Sequence, residues 1–140
     1  MRQVSLTAVL ALLLACAASP LVFAAVQGEV ALLVTPVLSG LGISSRAGLH
    51  AVLAAASLLG SLTAAAILCL PIGWLGPKYS VVFGAIVGLV GSLLVARMSS
   101  RLPAAGSVLL GLHWLEVAAF IVGCILFSTV GAFGARRVAA

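Results

Sequence analysis

Two glutamates and two histidines are the side chains of this 140-residue chain best suited to transfer protons or bind ions. They are Glu29, His50, His113 and Glu116, and the chain contains no Asp and no Asn. His113 and Glu116 lie three residues apart and are therefore neighbours on one helix face. The sequence has neither a Gly-rich phosphate-binding loop with Lys nor an HExxH motif. Hydrolytic and phosphoryl-transfer sites need paired carboxylates, metal ligands or an activated nucleophile, so no catalytic role is predicted.

The segments that must position these residues are strongly apolar. Hydrophobic residues make up 64% of the chain and charged residues 6%, whereas soluble proteins average about 25% charged residues. Because a membrane span needs about 20 apolar residues, four stretches are long enough: 4–26, 49–74, 80–96 and 114–135. None shows the alternation of barrel strands. The sequence therefore predicts an all-α integral membrane protein, a bundle of four transmembrane helices in one domain.

The connections between these spans differ in character. Residues 71–79 combine Pro and Gly with Trp74, Lys78 and Tyr79, which indicates a tight turn with interfacial anchors. Residues 27–48 form the longest connection and are still fairly apolar, so they are either a loop lying on the membrane or a short re-entrant segment. Residues 104–112 are either an interfacial helix or an extension of the fourth span.

The first span has a second interpretation. It resembles a signal peptide, with Val22 and Ala24 placed for cleavage before Ala25, and the residues up to Cys16 resemble an imperfect lipoprotein lipobox. A retained first helix is the favoured interpretation, with cleavage after Ala24 and lipidation at Cys16 as alternatives. Cleavage would leave three spans without changing the orientation of the rest.

The basic residues, which give a net charge of +5, are spread along the chain at the edges of apolar stretches. This distribution is typical of residues that set topology and contact lipid headgroups, and it does not favour a nucleic-acid partner. A cytoplasmic N-terminus gives the inner side a small excess of basic residues. We therefore expect both termini on the cytoplasmic side of a bacterial plasma (inner) membrane. The basic residues on the cytoplasmic side are then Arg2, Lys78, Arg136 and Arg137, and those on the outer side are Arg46, Arg97 and Arg101.

In that topology both glutamates and both histidines fall toward the outer side. The first interpretation is that they are ordinary interfacial residues. The second is a proton, ion or substrate path formed by Glu116, His113, Glu29 and Arg46, since ionisable residues within an apolar run are functional candidates. The third is a haem b held by His50 and His113, or a quinone pocket beside them. No cofactor is the main expectation, and haem b is the alternative.

Small residues recur at four-residue spacing in the last three spans, and the cysteines also lie in apolar runs. Small residues let helices approach closely in lipid. They pack either within the chain's own bundle or against a partner or second copy, and Cys69 and Cys124 are predicted to be buried among them. The predicted packing residues are Ala56, Gly60, Ala64, Gly84, Gly88, Ala119, Gly123 and Gly131.

The chain resembles small multidrug transporters in length and number of spans, although 4–26 lacks their membrane-embedded acidic residue. It is similar in size to the haem-bearing anchors of respiratory complexes, which it matches in two isolated histidines only. No motif identifies a family. The leading hypothesis is therefore a non-catalytic accessory or assembly subunit of a larger membrane complex that works through helix packing. A small homo-oligomeric transporter or channel is the main alternative, and a redox membrane anchor is the third.

Overall fold

A computed structural model describes residues 5–42, 45–99 and 113–139, and these ranges consist of helices and the turns that join them. Each of the four helices is long and apolar enough to cross a membrane. Their lengths differ, since a rise of 1.5 Å per residue makes the third helix about 30 Å long and the first about 52 Å. The helices are α1 Leu6–Gly40, α2 Arg46–Leu75, α3 Ser80–Ser99 and α4 His113–Ala139.

Helix α1 continues well past the end of the predicted first span. It passes Val26 without a break and ends at Gly40, so most of the connection predicted for 27–48 is helical. The loop and re-entrant interpretations of that segment are replaced by a continuous helix. The physical reason is that residues 30–38 are mainly apolar, while at the polar step of Gln27 to Glu29 the Gln27 side chain hydrogen bonds to Ser57 of α2. Gly42, with a φ of +57°, adopts the left-handed conformation that commonly follows a helix end.

The first proline of α1, Pro20, is accommodated within the helix. Pro20 has no N–H, so the carbonyl of Cys16, four residues earlier, loses its usual backbone donor. The hydroxyl of Ser19 donates to that same carbonyl at 2.8 Å. The helix therefore passes Pro20 with this carbonyl satisfied, and Ser19 itself is fully buried.

Helices α1 and α2 run antiparallel as a long hairpin. Gln27 of α1 contacts Ser61 of α2, while Cys16, eleven residues earlier, lies near Cys69, eight residues later. At the start of α2, the Ser45 hydroxyl accepts from the backbone N–H of Gly48 at 3.1 Å. This is the usual N-cap interaction at the start of a helix.

Helix α4 runs parallel to α2 and antiparallel to α3. Gly123 of α4 lies against Ala65 of α2, and Gly131 lies against Leu70. On its other side, α4 meets α3 where Ile121 packs on Gly88. The direction of the chain therefore alternates from helix to helix, and the α2–α3 turn lies at the same end as the C-terminus of α4.

The predicted spans 80–96 and 114–135 fall inside α3 and α4, and 49–74 falls inside α2. The break predicted at 71–79 is shorter in the structure, because Pro71 lies inside α2 and the helix ends at Leu75. Residues 104–112, for which two interpretations were open, lie outside the described residues.

Candidate functional site

The two glutamates lie at a similar depth in the bundle. Glu29 is an exposed residue within α1, although the sequence placed it after the first span, and it follows Gln27 by two positions. Glu116 is half-buried in the first turn of α4. Gly123 of α4 contacts Ala65 of α2, and the two helices are parallel. Glu116, seven residues before Gly123, therefore lies at the depth of residue 58 of α2. Gln27 lies at the same depth, because it hydrogen bonds to Ser57.

Arg46 and His50 lie farther along the axis than the glutamates. Both are exposed in the first turns of α2, and Arg46 precedes Ser57 by about 16 Å of helix. Arg46 and His50 therefore lie at a different depth along the helix axes from Glu29 and Glu116.

The structure does not test the hypotheses of a proton, ion or substrate path or of a haem b site, and both stay predictions. The His113 side chain, Arg2 and Arg101 lie outside the described residues. Arg97, near the end of α3, and Glu116 each interact with a neighbouring group. Among the residues that the structure describes, no group of three or more His, Cys, Asp or Glu side chains is arranged to hold a metal ion.

A glutamine that sequence reasoning did not select joins α1 to α2. Gln27 Nε2 donates to the Ser57 carbonyl oxygen at 3.2 Å and to Ser61 Oγ at 3.4 Å. Its side chain lies across Gly60, where a Cβ would meet Gln27 Oε1 at 2.8 Å. The sequence indicates this residue only as a lone amide between apolar segments. Because Gly28 and Glu29 follow it, the sequence predicts a connection at Gln27 rather than a helix.

Replacing Gln27 with leucine is expected to weaken the α1–α2 contact. The change removes both donated hydrogen bonds, and interhelical hydrogen bonds in membrane proteins contribute about 0.6–1.7 kcal/mol. The measurement is the free energy of unfolding in detergent. Thr35→Val is the matched control, because Thr35 is exposed and bonds only within α1, to the Ala31 carbonyl. Equal losses in the two variants would show that Gln27 does not join the helices.

All three cysteines meet in one layer of the bundle, although they come from three helices. Cys69 and Cys124 are buried, and their thiols lie in hydrogen-bonding contact. Cys16 is close to both, and all three are free thiols. Thiols behave here as small polarisable side chains that fill the space between helices.

The small residues of α3 and α4 lie where these helices approach one another. A Cβ on Gly84 would stand 2.6 Å from the Cys124 carbonyl oxygen, and one on Gly88 would stand 3.0 Å from the Ile121 Cα. The Ser128 hydroxyl, buried beside Gly84, donates to the Ser80 carbonyl at 2.8 Å. Backbone therefore packs directly on backbone along this contact.

The α2–α4 contact is tighter still. A Cβ on Gly73 would stand 1.9 Å from the Ser128 carbonyl oxygen, and one on Gly131 would stand 2.4 Å from the Leu70 carbonyl oxygen. Gly73 was missed because it lies in the 71–79 segment, which its prolines and glycines mark as a turn. The remaining predicted packing positions are Ala64, which is fully buried, and Ala56 and Ala119, which are half-buried.

The opposite end of the bundle from Glu29 and Glu116 is basic. Arg136 Nη2 donates to the Pro77 carbonyl oxygen at 3.1 Å, which fixes the end of α4 to the α2–α3 turn. Lys78 is exposed in that turn, and the guanidinium of Arg137 lies 4.6 Å from the centre of the Phe133 ring. Within the described part of the chain, this end carries cations and no carboxylate side chain.

The fold and these contacts define an all-helical chain whose four helices are apolar enough to cross a membrane, tightly packed around α4 and charged mainly at its ends. Comparisons with protein-family models, curated proteins and solved structures found no match for this chain. The proposals that follow rest on the geometry described above.

Proposed function

We propose that this chain is an integral membrane protein with four spans, located in a bacterial plasma membrane, that acts as a non-catalytic accessory or assembly subunit of a larger membrane complex. One observation carries the proposal. The α1–α2 hairpin extends beyond the ends of α3 and α4, and the part that extends is apolar and exposed.

Helix α3 sets the thickness of the membrane-embedded part. Its 20 residues make a helix of about 30 Å, which equals the hydrocarbon core of a bilayer. It begins just after Tyr79 and Lys78, residue types that anchor helices at the interface. Its far end, at Ser99, therefore marks the other face of the core. The contact of Gly91 with Ser19 relates α3 to α1, and the Gln27–Ser57 hydrogen bond relates α1 to α2. At the depth of Ser99 the hairpin has therefore reached only about residues 27–30 of α1 and about residues 54–57 of α2.

The remainder of the hairpin, residues 31–42 and 45–54, is here called the hairpin tip. It extends about 15 Å past the end of α3. Its exposed side chains are nonetheless large and apolar: Leu33 is 70% exposed and Val37 is 52% exposed. Other exposed apolar side chains in the tip are Leu32, Leu41, Leu49 and Leu53.

Exposed leucines have different consequences inside and outside the hydrocarbon core. Inside it, lipid solvates them. Beyond it, an apolar patch faces headgroups and water, and patches of this kind mark protein–protein interaction sites. Burial gains about 25 cal/mol for each Å² of apolar surface removed from water, so a partner that covers the tip stabilises the complex. An accessory subunit bound at the hairpin tip satisfies this requirement.

The test is site-specific photocrosslinking in the cells that make the protein. A photoreactive amino acid at Leu33 or Val37 is expected to link the chain to one discrete membrane protein of different mass, which should also be recovered with the unmodified chain after gentle detergent extraction. The matched control is Leu89, which is similarly exposed but lies midway along α3. At that depth, lipid adducts alone are expected.

Three outcomes contradict the proposal. Crosslinks from the tip to a second copy would indicate a homo-oligomer, as the transporter hypothesis requires. Crosslinks confined to residues 100–112 of the same chain would show that the tip is covered internally. Lipid adducts at Leu33 and Val37, as at Leu89, would place the tip inside the bilayer.

A further inference from the structure

A groove runs between α2 and α4 near their C-terminal ends. Its volume is about 430 Å³, and the residues that line it all belong to α2 and α4. Two glycines leave the α4 side without bulky side chains, while the Trp74 ring forms one wall and lies 3.1 Å from where a Gly134 Cβ would be. The groove is lined by Leu70, Pro71, Trp74, Val130, Gly131 and Gly134.

Cations surround the end of this groove. Gly134 and Arg137 are three residues apart, so Arg137 follows the groove on the same face of α4. Lys78 comes four residues after Trp74 in the α2–α3 turn, and the hydrogen bond from Arg136 to the Pro77 carbonyl holds that turn against α4. The apolar groove therefore lies at the basic end of the bundle, where Lys78 and Arg137 are exposed and Arg136 is bonded to Pro77.

The local electrostatics favour an anion at this end. Helices α2 and α4 end here with partial negative charges of about half an elementary charge each, but α1 and α3 begin here with equal and opposite charges, so the helix dipoles largely cancel. Both glutamates lie toward the other end. The full charges of Lys78, Arg136 and Arg137 therefore dominate this end of the described structure.

We propose that the groove and the adjoining cations bind one anionic phospholipid. One acyl chain lies in the groove against Trp74 and Val130, and the phosphate is held by Lys78 and Arg137. A phospholipid matches both properties of the site, since it carries an anionic headgroup directly next to an apolar chain, and basic pockets between membrane helices bind such headgroups. This binding is independent of the accessory-subunit proposal and requires no partner protein.

The test uses Trp74 as the reporter. The full chain carrying Trp114→Phe, which leaves a single tryptophan, is reconstituted in phosphatidylcholine vesicles containing a small fraction of acyl-brominated phosphatidylglycerol. Brominated phosphatidylglycerol is expected to quench Trp74 at lower mole fractions than brominated phosphatidylcholine with the same acyl chains. Each cation near an anionic headgroup contributes about 1 kcal/mol, or roughly a fivefold change in affinity, so Lys78→Gln with Arg137→Gln should weaken binding by about 25-fold.

Matched variants separate charge from fold. Arg46→Gln removes an exposed cation at the far end and should leave the quenching unchanged, while Arg137→Lys keeps the charge and should retain binding. Arg136 is left intact because it hydrogen bonds to Pro77. Circular dichroism checks that each variant remains helical.

Several results would overturn the proposal of a lipid-binding site. One is equal quenching by the two brominated lipids. Another is an equal effect of the Lys78/Arg137 double variant and Arg46→Gln. Displacement of the lipid by inorganic phosphate would indicate a phosphate site instead. Loss of quenching as the protein-to-lipid ratio rises would indicate that a helix of a second copy fills the groove.

Discussion

Replacing Gly73 with alanine is expected to disrupt the packing of α2 against α4. The added Cβ would stand 1.9 Å from the Ser128 carbonyl oxygen, and its other near neighbours are also backbone atoms of Ser128. Backbone cannot rotate aside as a side chain does, so the helices must separate. Overpacking typically costs 1–3 kcal/mol, and we expect about 3 kcal/mol or more at this position. The measurement is the free energy of unfolding in detergent, with tryptophan fluorescence as the signal that reports unfolding.

Gly28→Ala is the matched control for this prediction. It makes the same chemical change inside a helix, but a Cβ at Gly28 has nothing within 4 Å. Alanine is the better helix former by about 1 kcal/mol, so this variant should be as stable as the parent chain or slightly more stable. If the free energies of unfolding of Gly73→Ala and Gly28→Ala are equal, the close contact of α2 with α4 at Gly73 is incorrect.

Replacing Phe120 with alanine is expected to have the second-largest effect on stability. Phe120 is the largest of the fully buried side chains in the described structure, and its ring meets Phe23 edge-on with centroids 5.7 Å apart. It also lies against Gly91 of α3, so its loss opens a cavity shared by three helices. In soluble proteins Phe→Ala costs about 3–5 kcal/mol. Lipid solvates an exposed phenyl ring as well as the core does, so we expect about 3 kcal/mol from the cavity and lost contacts.

Leu126→Ala provides the comparison within the same helix. Leu126 is 55% exposed on the outer face of α4, so its truncation leaves no enclosed cavity. We expect a change below about 1 kcal/mol in the same unfolding assay. Two variants with equal losses would mean that α4 does not bury Phe120 at the centre of the bundle.

Among the described residues, the four helices of membrane-spanning length and the positions of the last three were predictable, because these last three apolar runs are bounded by strong breaks. Pro77 and Lys78 separate α2 from α3, and the apolar run of α4 leads into Arg136. Composition alone therefore predicts that the chain is all-helical with four segments long enough to cross a membrane, and the structure confirms this much.

The length of α1 and the closest helix contacts were not predictable from composition. Gln27, Gly28 and Glu29 are typical of a loop, yet the helix continues through them because Gln27 hydrogen bonds to α2. Gly73 is typical of a turn, yet it is where α2 meets α4 most closely. In both cases the deciding interaction comes from a helix distant in sequence, so no local pattern reveals it.

The hydrogen bond from Ser19 to the Cys16 carbonyl bears on the order in which the chain is made. Helix α1 leaves the ribosome before α2, α3 and α4, so none of these helices can support it at that stage. An unpaired carbonyl in hydrocarbon is costly, and a proline within a helix creates one unless a donor is already present. Here the donor is the residue directly before Pro20 in the same helix, so α1 satisfies this carbonyl by itself. Gln27 differs, because its partners on α2 arrive later. In the proposed membrane protein, insertion of α1 and its pairing with α2 are thus separate events in biogenesis, served by different side chains.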